Sequence, residues 1–364
     1  MSEARWAIDI DRDAIANAVI VDERETPLDD GEIEVRLDAF AMTANNVTYA
    51  ALGHPVGLFG NDKGYWDFFS GDGAGRLPVW GFATVTRSGV EGVDPGEQLY
   101  GYFPLASHAR LTPGRVSPLG FTDQSAHRLD MPAVYNQYQR VTALDDYAEA
   151  DRDWWPVFRP LYLTGWLIAD QFEDERDHGA RQVIVASASA KTAIAFAHAM
   201  RERIERPRLI GLTSQRGRAF LEATELYDEL VLYDAIGKID ASAPSAFVDV
   251  AGNSAVTGAV HEHLGDALRF SLIVGKAHWD ATAAEGKRWP ATGFFAPGRI
   301  QKRSQDWGAN GFRERVATAW THFLGDAKRL FHIDRREGAD AALAAYREAV
   351  EGRADPRAGI IVAL

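Results

Sequence analysis

The sequence predicts an α/β protein, with a doubly wound parallel sheet in its second half and a compact β-barrel-like domain in its first. Three observations carry this. Between Arg181 and Arg218 an apolar run (VIVA), a turn of small residues, a helical pattern and a second apolar run (LIGL) follow one another, which is a βαβ unit. Strand and helix patterns go on alternating as far as Gly275. Before residue 115, in contrast, short β-branched runs are separated by frequent Gly and Pro, the pattern of a small closed sheet.

Bulk properties bound the partners. At 364 residues the chain has core enough for two domains, and 46% hydrophobic with 25% charged residues is the balance of a globular protein. A formal net charge of −13 argues against nucleic acid or an anionic membrane as partner, because both select basic surfaces. No apolar run reaches transmembrane length, and MSEARWAIDIDRD is too acidic for a signal peptide. The absence of cysteine excludes disulfides, thiolate nucleophiles and cysteine-ligated zinc, and fits a cytoplasmic protein.

In chain order, alternation from Asp29 to Ala41 predicts a half-exposed strand, followed by a polar stretch through Asn45 and Tyr49 to Gly53. His54 to Gly75, with GYWDFFSGDG, reads as a long ordered loop, and strands resume at Pro78. Arg115 to Trp155 is less regular and contains VYNQYQR and an acidic run, a solvated face or linker. A helix begins at Pro160. After the βαβ unit come a helix near Arg218–Glu225, strands at Glu229–Tyr233 and Ala246–Ala251, a helix from Gly252 to Leu264 and a strand Ser271–Val274. Phe312 to Phe323 reads as a helix with Val316, Ala319, Trp320 and Phe323 on one face. The chain ends in a helix, a turn and the apolar strand GIIVAL.

The turn after VIVA reads Ser187-Ala188-Ser189-Ala190-Lys191-Thr192. It places backbone N–H groups at a helix N-terminus, where phosphate is stabilised. A dinucleotide turn wants glycines where Ala190 and Ala193 stand. A nucleoside-triphosphate loop is matched by Lys191-Thr192, but its glycine positions hold Val185 and Ala190. The third reading is a βαβ unit that packs and binds nothing. Beyond the second strand the chain reads Thr213-Ser214-Gln215-Arg216-Gly217-Arg218, without the acid that would accept from an NAD ribose. Arg216 and Arg218 with the two hydroxyls suit the 2′-phosphate of NADP, and Lys191 adds a charge beside the phosphates. Ordinary solvated arginines at a helix start are the competing reading.

The segments TANNVTYAALG, PVWGF, SGVEGVDPGEQLYGYFPLASHARL, VIVASASAKTA, IGLTSQRG, DELVLY, FVDVAGN and GIIVAL resemble the medium-chain dehydrogenase/reductase superfamily, in its zinc-free quinone and enoyl reductase branch. NNVTYA, SASAKTA, FFAPGRIQKR and DWG are similar to a subgroup of it known only as a domain of unknown function. The resemblance implies a GroES-like domain over 1–156, a Rossmann domain over 157–297 and a return to the first domain over 298–364. It implies an NADPH-dependent reductase of a small activated alkene, quinone or carbonyl, a non-catalytic NADPH-binding scaffold being the alternative. Relatives often dimerise. Tyr233, Gly252 and Gly275 are implied cofactor positions, together with Ser187, Ser189 and Thr192. Tyr49 and Asn45 lie on the segment that faces the nicotinamide in relatives, so Tyr49 is a candidate proton donor and Asn45 a candidate anchor. Tyr135, Asn136 and Tyr138 are a second polar-aromatic cluster, and Tyr65 and Trp66 either line a pocket or plug the core. Zinc-dependent relatives have Gly-His-Glu where this chain has Gly81-Phe82-Ala83, so no metal is expected. The histidines look scattered, His261 and His263 pointing to different helix faces.

Overall fold

The computed structural model describes residues 5–69, 73–277 and 290–364, so parts of the acidic N-terminus and of the 54–75 loop lie outside the described residues. The chain forms two compact units, one from the residues up to Phe158 with His332–Leu364, the other Arg159–Phe331. The return to the first unit therefore begins at His332, not at 298. Among the described residues no helix is long and apolar enough to cross a membrane.

In the second unit six parallel strands lie in the order Glu229–Leu232, Arg208–Thr213, Gln182–Ala186, Ser245–Asp249, Leu268–Ile273, Thr292–Gly293. That order reverses direction at Gln182–Ala186, the switch point where a doubly wound sheet opens a crevice at its strand ends. Ile184, Ile210, Leu212, Val231, Phe247, Val260 and Leu264 fill one core cluster, which explains why these strands read as unbroken apolar runs.

The first unit is built on antiparallel pairing. Ile33–Met42 pairs with Pro78–Ser88, which pairs with Gln98–Pro104, and a further strand, His108–Leu111, also pairs with Ile33–Met42. The C-terminal strand Ala358–Ala363 pairs antiparallel with Ile33–Met42 and parallel with His332–Glu337, as expected from its apolar sequence.

Three local expectations change. The polar stretch after Met42 is a helix, Ala44–Ala51, because Thr43 and Asn46 close a capping box that overrides two asparagines of poor helix propensity. The helix expected from Pro160 spans Trp154–Asp174; Trp155, Val157 and Phe158 are buried, and Thr164 Oγ1 donates to the carbonyl of Pro160. The helix expected over Phe312–Phe323 runs from Ala296 to Leu330, with Gly308 at φ 72° as its one non-helical residue. Its forward part is held by buried Arg299 and Arg303, which both donate to the Asp170 carboxylate and pair with Asp174.

Gly165 sets how closely the helix Trp154–Asp174 approaches the helix after the turn, Lys191–Arg201. A Cβ there would lie 2.6 Å from the Phe196 nitrogen and 2.7 Å from both Ala195 Cβ and the Thr192 carbonyl oxygen. Gly165→Ala forces the two helices apart and should cost about 1–3 kcal/mol, read as a lower urea midpoint at unchanged slope. An unchanged midpoint would mean that this contact yields freely.

Candidate functional site

The turn at the switch point is built without glycine. Ser187, the first residue after the strand, has φ 55°, the left-handed conformation that the first glycine of a dinucleotide turn supplies. Two tyrosines brace it. The Ser187 amide donates to Tyr233 Oη at 3.0 Å, and Tyr227 Oη donates to the carbonyls of Ala188 and Ala193 at 2.9 and 3.3 Å. Tyr227 reaches the turn over Gly211, where a Cβ would be 3.0 Å from its ring. Burial raises the pKa of both hydroxyls, so they remain protonated braces at neutral pH. The helix that follows has Ala190 as its N-cap and no side-chain cap, which leaves the dipole end for an anion.

Ser189, Thr213 and Ser214 converge around Gly217. A Cβ on Gly217 would meet Thr213 Oγ1 at 2.5 Å, Ser189 Oγ at 3.6 Å and Ser214 Oγ at 3.8 Å. Ser214 caps the helix Gln215–Thr224 by accepting from the Gly217 amide. The two arginines of that helix differ. Arg218 is paired with Glu222 at 2.7 Å, whereas Arg216 is exposed and has no ion-pair partner among the described residues. Lys191 does not lie free beside the turn, because its ammonium sits over the Phe331 ring, 5.6 Å from the centroid. Thr192 is buried in the first turn of its helix.

Gly252 and Gly275 meet at the ends of two neighbouring strands. Gly252 has φ 71°, and a Cβ on it would come within 2.4 Å of the Gly275 carbonyl oxygen. Buried Asp249 sets this corner by accepting from the amides of Ala251 and Gly252 and from Thr257 Oγ1. The corner presents backbone only, the surface a flat ligand ring packs against.

In the first unit, Tyr49 and Asn45 are one turn apart on the helix Ala44–Ala51, and Asn45 interacts with the Tyr49 hydroxyl. Tyr49 is buried against Tyr65 (centroids 4.5 Å) and Tyr102 (5.6 Å). Burial, with Tyr135 nearby, pushes its pKa up, so the group is a hydrogen-bond donor at neutral pH. Trp80 and Tyr102 stand opposite each other on paired strands. Trp80 Nε1 and Tyr102 Oη polarise Tyr49 at longer range but are buried without a partner at hydrogen-bond geometry. Sequence reasoning missed these two; the spacing of Tyr100 and Tyr102 in QLYGYFP, both on one strand face, was the available signal.

Tyr135 joins the same cluster, its hydroxyl 3.4 Å from that of Tyr65. Asn136 and Tyr138 do not join it. Both are bonded to Arg128, a fully buried guanidinium that is also paired with Asp123 at 2.8 Å. Trp66 is a core plug, filling the space over Gly53 and Gly75, where a Cβ would come within 2.1 and 2.7 Å of its ring.

The chain belongs to the family described as Protein of unknown function (DUF2855), which matches residues 40–355. Among curated proteins none matches the sequence. Its fold is similar to that of CurA in complex with NADPH from Vibrio vulnificus, at 12% identity and TM-score 0.61 over 95% of this chain and 94% of that one. It is similar to the Etr1p structure with NADP and crotonyl-CoA, at 10% identity and TM-score 0.57 over 99% and 100% of the two chains. It is also similar to a thermostable alcohol dehydrogenase from Pyrobaculum aerophilum, at 15% identity and TM-score 0.52 over the whole of both. The shared feature is the fold, a Rossmann sheet with a GroES-like domain.

The strained serine yields a direct expectation. Ser187→Gly relieves a left-handed non-glycine residue and should stabilise the protein by about 0.5–1 kcal/mol, measured by urea unfolding. A destabilised variant would show that the hydroxyl contributes more than the strain costs.

Proposed function

We propose that this DUF2855 protein is an NADPH-dependent oxidoreductase acting on the activated double bond or carbonyl of a small molecule, an enone or quinone, without zinc. The observation that carries the reading is Arg216, an exposed cation with no ion-pair partner among the described residues, set where an NAD-binding chain needs an acid. Two features fit a dinucleotide besides: an uncapped helix N-terminus behind a left-handed turn, and a bare glycine corner at Gly252 and Gly275. The structures of CurA with NADPH and of Etr1p with NADP, similar in fold, bear the same cofactor.

When bound, the dinucleotide supplies hydride. The protein's residues hold and orient. Ser189, Thr213, Ser214 and Arg216 take the 2′-phosphate, Arg216 by charge-assisted bonds; Arg218, already paired with Glu222, contributes at most a second-rank charge. The first-turn amides of the helix from Lys191 on, with its dipole, hold the pyrophosphate, Thr192 lying on that turn. The Tyr49 hydroxyl, protonated and steadied by Asn45, donates to the substrate oxygen as negative charge collects there. Trp80 Nε1 and Tyr102 Oη, which lean on Tyr49 but have no partner at hydrogen-bond geometry among the described residues, are further donors. Zinc has no place in this scheme, because Gly81-Phe82-Ala83 offers no side-chain ligand.

Arg216→Ala should weaken NADPH binding by roughly ten- to hundredfold and leave NADH binding unchanged, by fluorescence titration. Equal affinity of the wild type for both cofactors would refute the assignment. With NADPH and a panel of enones and quinones, Tyr49→Phe should lower kcat by about a hundredfold without altering cofactor affinity. Wild-type turnover by Tyr49→Phe would remove the tyrosine from the reaction, and cofactor binding without oxidation across the panel would favour the scaffold reading.

A further inference from the structure

Two histidines that look unrelated in the sequence meet where the helices Lys191–Arg201 and Ala296–Leu330 pack. His198 and Glu202 are one turn apart on the first, and His322 and Asp326 one turn apart on the second. They pair crosswise: His198 Nε2 lies 3.2 Å from Asp326 Oδ2, and His322 Nδ1 lies 3.1 Å from Glu202 Oε2. The imidazole centroids are 5.4 Å apart. One ligand atom each from His198, Glu202 and His322 falls within 4.8 Å of the others. The three border an open cavity of about 480 Å³ that also touches Tyr162, Trp166 and Glu314.

We propose that His198, Glu202 and His322 bind a divalent first-row transition ion of the Zn²⁺ class. Two imidazoles and a carboxylate are the ligand set such ions select over Mg²⁺ or Ca²⁺. Coordination at about 2.0–2.2 Å needs the three atoms to draw in toward a common ion. Glu202 and His322 can do so, since their side chains are 52% and 59% exposed. His198 is the fixed ligand. It is buried, and its ring is packed against Phe323. An imidazole has two ring nitrogens to satisfy; among the described residues Nε2 has Asp326 as its partner, whereas Nδ1 is buried without one. A cation is the partner the ring lacks. Asp326 then serves as the neighbouring carboxylate that orients the ring and balances the ion's charge.

The ion pairs on their own are the competing account, and metal uptake separates the two. Tag-free full-length protein, stripped with EDTA, is titrated with ZnCl₂ by calorimetry at pH 7.5 and with CoCl₂ by visible absorption, MgCl₂ serving as control. The expected result is one Zn²⁺ per chain with a Kd on the order of micromolar, no Mg²⁺ uptake, and visible Co²⁺ bands of nitrogen–oxygen coordination. His322→Ala and Glu202→Gln, both at exposed positions and therefore folded, should each weaken Zn²⁺ binding at least about tenfold. Lowering the pH to about 5.5 should release the ion, because protons compete for the imidazoles. No uptake by the wild type at about 100 μM free Zn²⁺, or binding by His322→Ala as tight as wild type, would overturn the proposal.

Discussion

The hydrogen bond from the Ser187 amide to Tyr233 Oη holds the one turn on which the architecture of the second unit converges. A left-handed residue that is not glycine persists only where its surroundings over-determine it. Here the surroundings are two tyrosines from the next segments of the sheet. Gly211 leaves room for the Tyr227 ring, and the Tyr227 hydroxyl then ties Ala188 in the turn to Ala193 in the helix. The function that glycines perform by lacking a side chain is performed in this protein by side chains from outside the turn. The turn is thereby stiffer, and it depends on residues some forty positions downstream.

A comparable device organises the aromatic cluster of the first unit. Arg128 is wholly buried, and it gives four hydrogen bonds, to Asp123, Asn136, Tyr138 and the Tyr135 carbonyl. Tyr138 in turn donates to the Tyr102 carbonyl. A buried pair of this kind contributes little net stability, but losing one partner costs about 3–5 kcal/mol, so the arrangement admits little alternative. Its effect is to fix the backbone carrying Tyr135 and Tyr102. Burial then keeps these phenols protonated, and the cluster can give hydrogen bonds but not take protons.

Much of this fold was legible because buried parallel strands write themselves as unbroken apolar runs: VIVA, LIGL and AFVDV all became adjacent strands of one sheet. The helix Ala44–Ala51 was hidden because its stability comes from a capping box and tertiary burial, not from propensity. The long helix was hidden because its forward part is stabilised by Asp170 and Asp174 from another segment, which periodicity does not register. At the site, the residue types around the turn were readable, but their states were not. Only the structure separates Arg216, with no ion-pair partner among the described residues, from Arg218, engaged by Glu222, or seats Lys191 on Phe331. The meeting of His198 with His322 is a matter of helix packing alone.

The discontinuity of the first unit has a consequence for how the chain is made. The second unit, Arg159–Phe331, is contiguous in sequence and can close its sheet as soon as it leaves the ribosome. The first cannot, because the Ala39–Met42 edge of its long strand waits for Ile360–Ala363, synthesised only after the whole second unit. Until then the apolar edge Ala39–Met42 stands unpaired, the kind of template that recruits other chains. The non-local closure that follows is also the slow kind, with loop entropy lost before any contact rewards it. Assembly of the first unit is therefore gated by the strand Ala358–Ala363, and chaperone demand should concentrate in the interval between synthesis of residue 42 and emergence of that strand.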